Sequence, residues 1–389
     1  MKILIVNAGS SSLKFKLFEM PNEDVLAAGE IERLNMPGSK VKIKYGDNQV
    51  FKDQQDNISY DKSAGIMLNR LKDLHVIDHL GDIKVVAHRV VAGANDFDKV
   101  TKITPETLSR IVELGEIAPI HNPSEAKYID IVTSILPDAT QYAVFDSAFF
   151  HDVPAMNGQY GIPHELTKKF GIQRYGEHGI NHTYTTQQAM KMLGTDKADL
   201  VTLHLGSGAS VAAERDGKCY DTSMGYTPMN GLLMGTRAGD VDPALVPYLM
   251  KRMGASADEV IEMFNERSGM LGVSGISSDM RDLEESSDPQ AKLALDMFLN
   301  RVIKYASSYI TELDGVDAIV FSGGIGEHDE WVRSEVCKKL RWFGVELDEE
   351  KNKAQQFGDL SAVGSKVKVF LIPADEEIAM VRDVYDYQK

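Results

Sequence analysis

Ile3-Leu4-Ile5-Val6 is followed at once by Asn7-Ala8-Gly9-Ser10-Ser11-Ser12, after which Leu13, Phe15 and Leu17 alternate with Lys14 and Lys16. A short continuous apolar run bounded by small polar residues reads as a strand buried on both faces, and the alternation after it as a half-buried partner strand. The same unit recurs about half a chain later. Leu200-Val201-Thr202-Leu203 leads through His204-Leu205-Gly206-Ser207-Gly208-Ala209-Ser210 into Val211-Ala212-Ala213 and an Asp216-Gly217 turn. Each half also carries a later apolar strand ending in glycine, Lys84 to Gly93 in the first and Ala318 to Gly326 in the second. Such repetition implies two related halves.

Between the strands, Pro105 to Leu114, Ser124 to Leu136, Thr183 to Leu193, Ser256 to Asn265 and Asp288 to Leu313 have helical spacing, with Ser124, Thr183, Ser256 and Asp288 as expected caps. Strands alternating with helices predict an α/β architecture. The main boundary is expected after the strand Tyr142 to Phe145, giving domains of residues 1–149 and 150–377. A last helix, within residues 378–389, is expected to pack back on the first domain.

The chain has 389 residues, enough for two cores. Its 42 Lys and Arg against 58 Asp and Glu leave a formal charge of −16, which argues against nucleic acid or an anionic membrane surface as partner. It does not exclude phosphate ligands, because such a site needs only a few local donors and a cation. Cys219 and Cys337 are far apart and form no CxxC, which fits a reducing compartment, and cytosol is the expected location. The apolar run at Ile3 to Val6 is too short for a signal peptide, and no stretch approaches a membrane span.

Glycine and small hydroxyl residues at the ends of buried strands let backbone N–H groups approach an anion, and four such turns occur in symmetric positions. GxxxxGK[ST] is absent, and neither Gly206-Ser207-Gly208 nor Gly324-Ile325-Gly326 continues into GxGxxG, so P-loop and Rossmann sites are disfavoured. A protein kinase is excluded by the missing HRD and DFG motifs. The stretch Asp221 to Pro243 holds many glycines and acids around Arg237, and Arg89 closes the strand Lys84 to Gly93. Either guanidinium suits carboxylate or phosphate oxygens, the alternative being an ordinary surface ion pair. His178 and His182 form HxxxH without the Glu of HExxH, which argues against zinc.

Asn7 to Lys14, His88 to Val91, Ala118 to Pro123, Phe145 to Phe149, Asp221 to Pro243, Gly272 to Asp282, Gly323 to Glu327 and Pro373 to Glu377 resemble, in order and spacing, the acetate kinase family. The resemblance spans essentially the whole chain. It implies a two-domain fold of the actin, Hsp70 and sugar-kinase type, ribonuclease H-like, with a duplicated βββαβαβα core, an N-terminal acceptor domain, a C-terminal nucleotide domain, ATP in the cleft, and a homodimer. It implies reversible phosphoryl transfer between ATP and acetate with magnesium, or manganese in its place. Carried over by motif, Arg89 and Arg237 would hold acetate and the transferring phosphoryl group, His178 would donate to that group, and Asp146 would stand near the attacking oxygen. Asn7 and Glu376 would sit at the metal. Val91, Ile120 and Pro228 would wall the acceptor methyl. Ser10, Ser12, Lys14, His204, Gly206, Ser207 and Gly208 would contact phosphates. Asp279, Met280, Arg281, Gly324, Ile325 and Gly326 would line the nucleoside pocket.

The physics agrees with those roles, since a carboxylate is already a nucleophile and the barrier is the approach of an anion to a polyanionic phosphate. Asp146 is accordingly expected as an orienting or metal-side group more than as a base. The family's Tyr-Gly-Phe-His-Gly-Thr-Ser-His becomes Tyr175-Gly176-Glu177-His178-Gly179-Ile180-Asn181-His182, its His-Leu-Gly-Asn-Gly has Ser207 for Asn, and the His after Ala-Phe is Phe150. Glu177 in place of Phe opens the expectation of a propionate-sized or more polar acid as acceptor, against a Glu177 turned to solvent. The rivals are a sugar kinase and a non-catalytic nucleotide-switched protein; only twelve residues follow Glu377, too few for an appended chaperone domain.

Overall fold

The computed structural model describes residues 1–9, 11–119 and 121–389. Its contacts divide the chain into a first unit, Met1–Ala148 with Asp375–Lys389, and a second, Phe149–Ala374.

The first unit is built on strands β1 (Lys2–Ala8), β2 (Ser12–Glu19), β3 (Asp24–Glu32), β4 (Ser39–Tyr45), β5 (Gln49–Gln55), β6 (Ile83–Val90), β7 (Thr101–Lys102) and β8 (Thr140–Phe145). They lie in the order β5-β4-β3-β2-β1-β6-β8-β7. β1 to β3 are antiparallel, whereas β1, β6 and β8 run parallel. Ile3 to Val6 are at most 1% exposed, as a strand covered on both faces requires. One face is covered by helices Tyr60–Asp73 and Asn122–Ile135, through Met67, Leu68, Leu71, Tyr128 and Val132. On the sheet also packs the last helix, Glu376–Tyr387, which meets β1, β6 and β8. It begins two residues before the expected start because Asp375 caps it, accepting from the Ile378 N–H at 3.2 Å.

The second unit repeats the plan with β9 (Leu200–Leu205), β10 (Ala209–Arg215), β11 (Lys218–Thr222), β12 (Ala318–Ser322), β13 (Gly358–Asp359) and β14 (Lys368–Leu371), ordered β11-β10-β9-β12-β14-β13. Again three strands are antiparallel, and β12 is parallel to both β9 and β14. β3-β2-β1-β6-β8 and β11-β10-β9-β12-β14 are thus the same five-strand order, the duplicated ribonuclease H-like core of the expected fold class. Helix Pro289–Glu312 fills one face with Ala291, Ala294, Phe298, Val302 and Ala306, and helix Gly179–Leu193 packs on β9 and β12.

Two further helix starts differ from the sequence expectation. The helix expected from Thr183 begins at Gly179, because the His178 carbonyl already accepts from His182 N–H at 3.0 Å. Its first turn buries Asn181 and His182, polar residues that hide the apolar period. The helix expected from Ser124 begins at Asn122 with Pro123 in its first turn, and the Ser124 hydroxyl donates to the His121 carbonyl instead of capping. Ser256 and Asp288 cap as expected.

Arg333 is fully buried in helix Glu330–Leu340. Its guanidinium donates to the Gly326 and Glu327 carbonyls at 2.8 and 2.9 Å and to Asn352 Oδ1 and carbonyl at 2.6 and 3.1 Å. Arg333→Met leaves those oxygens without donors and should lower the unfolding free energy by roughly 3 kcal/mol. Urea unfolding of the variant beside Arg333→Lys, which keeps the charge but not the fork, measures it.

Candidate active site

In the first unit the site residues expected from the sequence gather at the carboxyl ends of the parallel strands, where open α/β sheets bind ligands. Arg89 lies one residue before the end of β6, and Asp146 directly follows β8. The Arg89 Nη2 donates to Asp146, Nη1 donates to Asn7 Oδ1 at 3.4 Å, and Nε stands 3.8 Å from Glu376 Oε2. Asn7, near the end of β1, is paired across the hairpin with Lys14. Burial opposes the Arg89 charge, but Asp146, Glu376 and Glu125 outweigh it and raise its pKa. Burial raises Glu376, with Arg89 and Lys14 offsetting part of the effect and Asp146 and Glu377 adding to it. Arg89 Nε and Asp146 Oδ1 are buried and have no hydrogen-bond partner among the described residues. They are an unused donor and acceptor beside each other, which a protein interior tolerates only at strain or function.

The segment after β6 is held by residues that the motif reading left without roles. Val91 N–H donates to Glu125 Oε2 at 3.0 Å, Ala92 N–H to Asn122 Oδ1 at 3.0 Å, and Gly93 N–H to Ser147 Oγ at 2.8 Å. Glu125 is 4% exposed, and burial pushes its carboxyl up to about 8 against the pull of the Val91 N–H and Arg89. An acid at the start of an apolar helix normally reads as a first-turn dipole partner, so the sequence gives no sign that Glu125 is buried. Val91 itself packs with Ala92 and Ala118. Ser10 and Ile120 lie outside the described residues. Ser12 opens β2, its carbonyl accepting from Gly9 N–H at 2.9 Å.

In the second unit the turn after β9 meets the turn after β12. A Cβ on Gly206 would come within 3.9 Å of the Gly324 nitrogen, and Gly323, at φ +79°, would press one against the Leu205 carbonyl at 2.7 Å. A Cβ on Gly208 would stand 3.3 Å from His178 Nε2 and 3.7 Å from Arg237 Nη1. A residue without a side chain lets this backbone approach the His178 ring and the Arg237 guanidinium without crowding either. His178 is itself left-handed, φ 64°, at the start of helix Gly179–Leu193. Its Nδ1 is bonded to Ser210 Oγ at 2.9 Å, and its ring stacks on His204 with centroids 4.3 Å apart. His204 Nδ1 is in turn bonded to Asn181 at 2.8 Å. Both ring nitrogens of His182 are taken by hydroxyls, Thr202 at 2.6 Å and Ser210 at 2.7 Å, so the HxxxH pair is a hydrogen-bonded support.

A cavity of ≈ 890 Å³ opens beside these turns. Of the residues expected at the nucleotide, Gly206, Ser207, Asp279, Met280, Arg281, Gly324 and Ile325 line it. His204, Gly208 and Gly326 do not; the first two stand at His178, and the Gly326 carbonyl is held by Arg333. Leu295 and Trp331 add apolar surface that the motif reading missed. Asp279 caps helix Met280–Glu285 and grips Arg281 at 2.6 and 3.0 Å, which holds its carboxyl down at about 2.

The sequence profile of the acetokinase family matches residues 2–382. The chain belongs to the acetokinase family. It is 47% identical over 388 residues to acetate kinase 1 of Latilactobacillus sakei subsp. sakei (strain 23K), with 98% of each chain covered. Its structure matches that of Porphyromonas gingivalis acetate kinase with a TM-score of 0.92 at 38% identity, covering 100% of both chains. It matches a propionate kinase from Francisella tularensis subsp. tularensis SCHU S4 with a TM-score of 0.93 at 36% identity, covering 98% of both.

For an acetokinase the chain's departures from the family motif are now placed. Phe150 is 2% exposed and packs edge-on to His182, against Gly176, whose Cβ would collide with its ring at 2.5 Å. Asn181 bridges His204 and Ser322 Oγ, and Ile180 is buried. Glu177 is half-buried between the left-handed Gly176 and His178, on a segment tied to Gly225 by Tyr175 N–H at 2.9 Å. Pro228 lies in the half-buried stretch that follows Gly225.

Because native Glu125 holds its proton to about pH 8 while an unfolded Glu loses it near 4.5, folding binds a proton between those values. Its contribution to stability is therefore complete below pH 4.5 and lost as pH rises through about 8. Glu125→Gln keeps an acceptor for Val91 N–H without the titration. Thermal unfolding from pH 5 to 8 should fall less steeply in the variant; equal slopes would show that Glu125 is ionised throughout.

Proposed function

We propose that the chain transfers the γ-phosphoryl group of ATP to the carboxylate of acetate, giving acetyl phosphate and ADP, and that it runs in both directions. The observation that carries this reading is the convergence of Arg237 and His178 on the Gly208 backbone in an acetokinase. An acetate oxygen attacks the γ-phosphorus in line as the bond to the ADP oxygen breaks. The nucleophile is already an anion, so no base is required, and the chain's task is to offset negative charge and align the groups. Arg237 and His178 would donate to the equatorial oxygens, and the N–H groups of the Gly206 to Gly208 turn would cradle the phosphates. Arg89 would hold the acetate carboxylate, with Asp146 fixing its guanidinium. The cavity lined by Asp279, Met280 and Ile325 has the size for a nucleoside.

Asn7 Oδ1, the Glu376 carboxylate and the unpartnered Asp146 Oδ1 are an oxygen-only set that suits magnesium, or manganese, and these residues would hold it. When bound, the cation screens the polyphosphate charge. The wider assignments to phosphate (Ser10, Ser12, Lys14, His204) and to the acceptor wall (Val91, Ile120, Glu177, Pro228) belong to the same proposal, as do a cytosolic location and a homodimer. No helix among the described residues is long and apolar enough to cross a membrane.

With ATP, magnesium and hydroxylamine, acetate should yield acetyl hydroxamate, and a panel of propionate, longer and hydroxylated acids ranks the acceptors. ATP turnover indifferent to every carboxylic acid would remove the reading. Arg237→Ala should cut kcat by ~10²–10³, the usual loss for a donor to transition-state charge. If only the unfolding midpoint moves, Arg237 is a surface ion-pair residue.

A further inference from the structure

Behind His178 a run of buried polar side chains crosses β9 and β10. His178 Nδ1 is bonded to Ser210 Oγ at 2.9 Å, Ser210 Oγ to His182 Nε2 at 2.7 Å, and His182 Nδ1 to Thr202 Oγ1 at 2.6 Å. Thr202 Oγ1 is bonded to Glu214 Oε1. Ser210, His182, Thr202 and Glu214 are each at most 1% exposed. Nothing in the motif reading assigns a role to Thr202 or Glu214.

We propose that Glu214, as a neutral acid, sets the direction of this chain so that His178, in its singly protonated form, presents Nε2–H, not a lone pair, to the Gly208 turn. The choice follows from counting protons. A hydroxyl has one proton to give, and a neutral imidazole has one N–H and one lone pair. If Glu214 were a carboxylate, Thr202 would have to donate to it and accept from His182 Nδ1–H. His182 Nε2 would then need the Ser210 proton, Ser210 would accept from His178 Nδ1–H, and neutral His178 would turn a lone pair on the phosphoryl oxygens. A proton on Glu214 Oε1 reverses every link. Glu214 donates to Thr202, Thr202 to His182 Nδ1, His182 Nε2–H to Ser210, and Ser210 to His178 Nδ1, which leaves the His178 proton on Nε2.

Burial favours the neutral acid. The groups acting on Glu214 are the Thr202 hydroxyl and backbone N–H and the Thr186 hydroxyl, which lies nearby without completing a hydrogen bond, with no cation among them, and burial raises its pKa well above the ordinary value. Its Oε2 has no hydrogen-bond partner among the described residues, a heavy cost for a carboxylate and a light one for an acid's carbonyl oxygen. Burial, followed by His204, holds His182 well below 6.5, so the middle link stays neutral and transmits the direction. Glu214, Thr202 and His182 are positioning residues, and their catalytic meaning rests on the proposed transfer to acetate.

The test reads the proton directly by ¹⁵N-histidine NMR of the full chain without substrates at neutral pH, with His178→Gln to assign the resonance. Wild type and Glu214→Gln, whose amide can donate to Thr202 without charge, should both show His178 as the Nε2–H tautomer. Thr202→Val and Ser210→Ala should convert it to a mixture. A wild-type His178 found as Nδ1–H, or a tautomer unmoved by both chain-breaking variants, overturns the proposal. Activity is scored separately in the hydroxamate assay, so an Nε2–H tautomer without acyl phosphate formation would leave the chain standing and remove the acetate reading.

Discussion

Much of the first unit depends on keeping one guanidinium charged inside it. Arg89 is only one-fifth exposed, and removing a lone cation from water to that degree would be prohibitive. The Asp146 carboxylate, set against it by the neighbouring parallel strand, makes the burial tolerable. Two further acids stand within its field, and their pKa values are raised by burial despite the arginine. Arg89 and Asp146 thus offset each other, and burial works against the charged form of both neighbouring acids. The global charge of −16 says nothing against this, because the decisive charges act over a few ångströms.

The two sheets solve a common problem in the same way. A strand buried on both faces must emerge into a turn whose backbone is not shielded by side chains, and small residues at that point leave N–H groups for a ligand. In the first unit the turn follows Ala8, in the second it follows Leu205. Each unit is also completed by a helix that is not part of its contiguous five-strand run: Glu376–Tyr387 follows the last strand of the second sheet but packs on the first, and Gly179–Leu193 precedes β9. Glu376 and Glu377 reach the first unit only because this helix returns to it.

Much of this was legible in the sequence where period and punctuation coincide. The paired strand-turn-strand units, the later glycine-ended strands and the Ser256 and Asp288 caps follow from local pattern, and the structure contains each of them. What the pattern hides is buried polarity. Asn181 and His182 begin a helix that looks polar, Glu125 looks like a first-turn surface acid, and Thr202 looks like one more β-branched strand residue. Their burial comes from partners distant in sequence, Ser322, Val91 and Glu214, which no window of neighbouring residues contains. The motifs named the groups that would touch the ligand; the groups that hold those in place emerged only from the fold.

The departures at residues 150, 177, 180 and 181 divide on the same line. Phe150, Ile180 and Asn181 all lie behind His178 and are absorbed into packing or hydrogen bonds, Phe150 against His182 and Asn181 between His204 and Ser322. They change the composition of the support without removing the Ser210 bond that fixes the His178 ring. Glu177 is different, because both of its neighbours hold left-handed backbone conformations. Gly176 is left-handed with the Phe150 ring against it, and His178 is left-handed at the head of its helix, so the residue between them is held from both sides. Any influence of Glu177 on its surroundings must therefore come through its side-chain rotamer and charge, while the Ser210 bond keeps the His178 ring where it is.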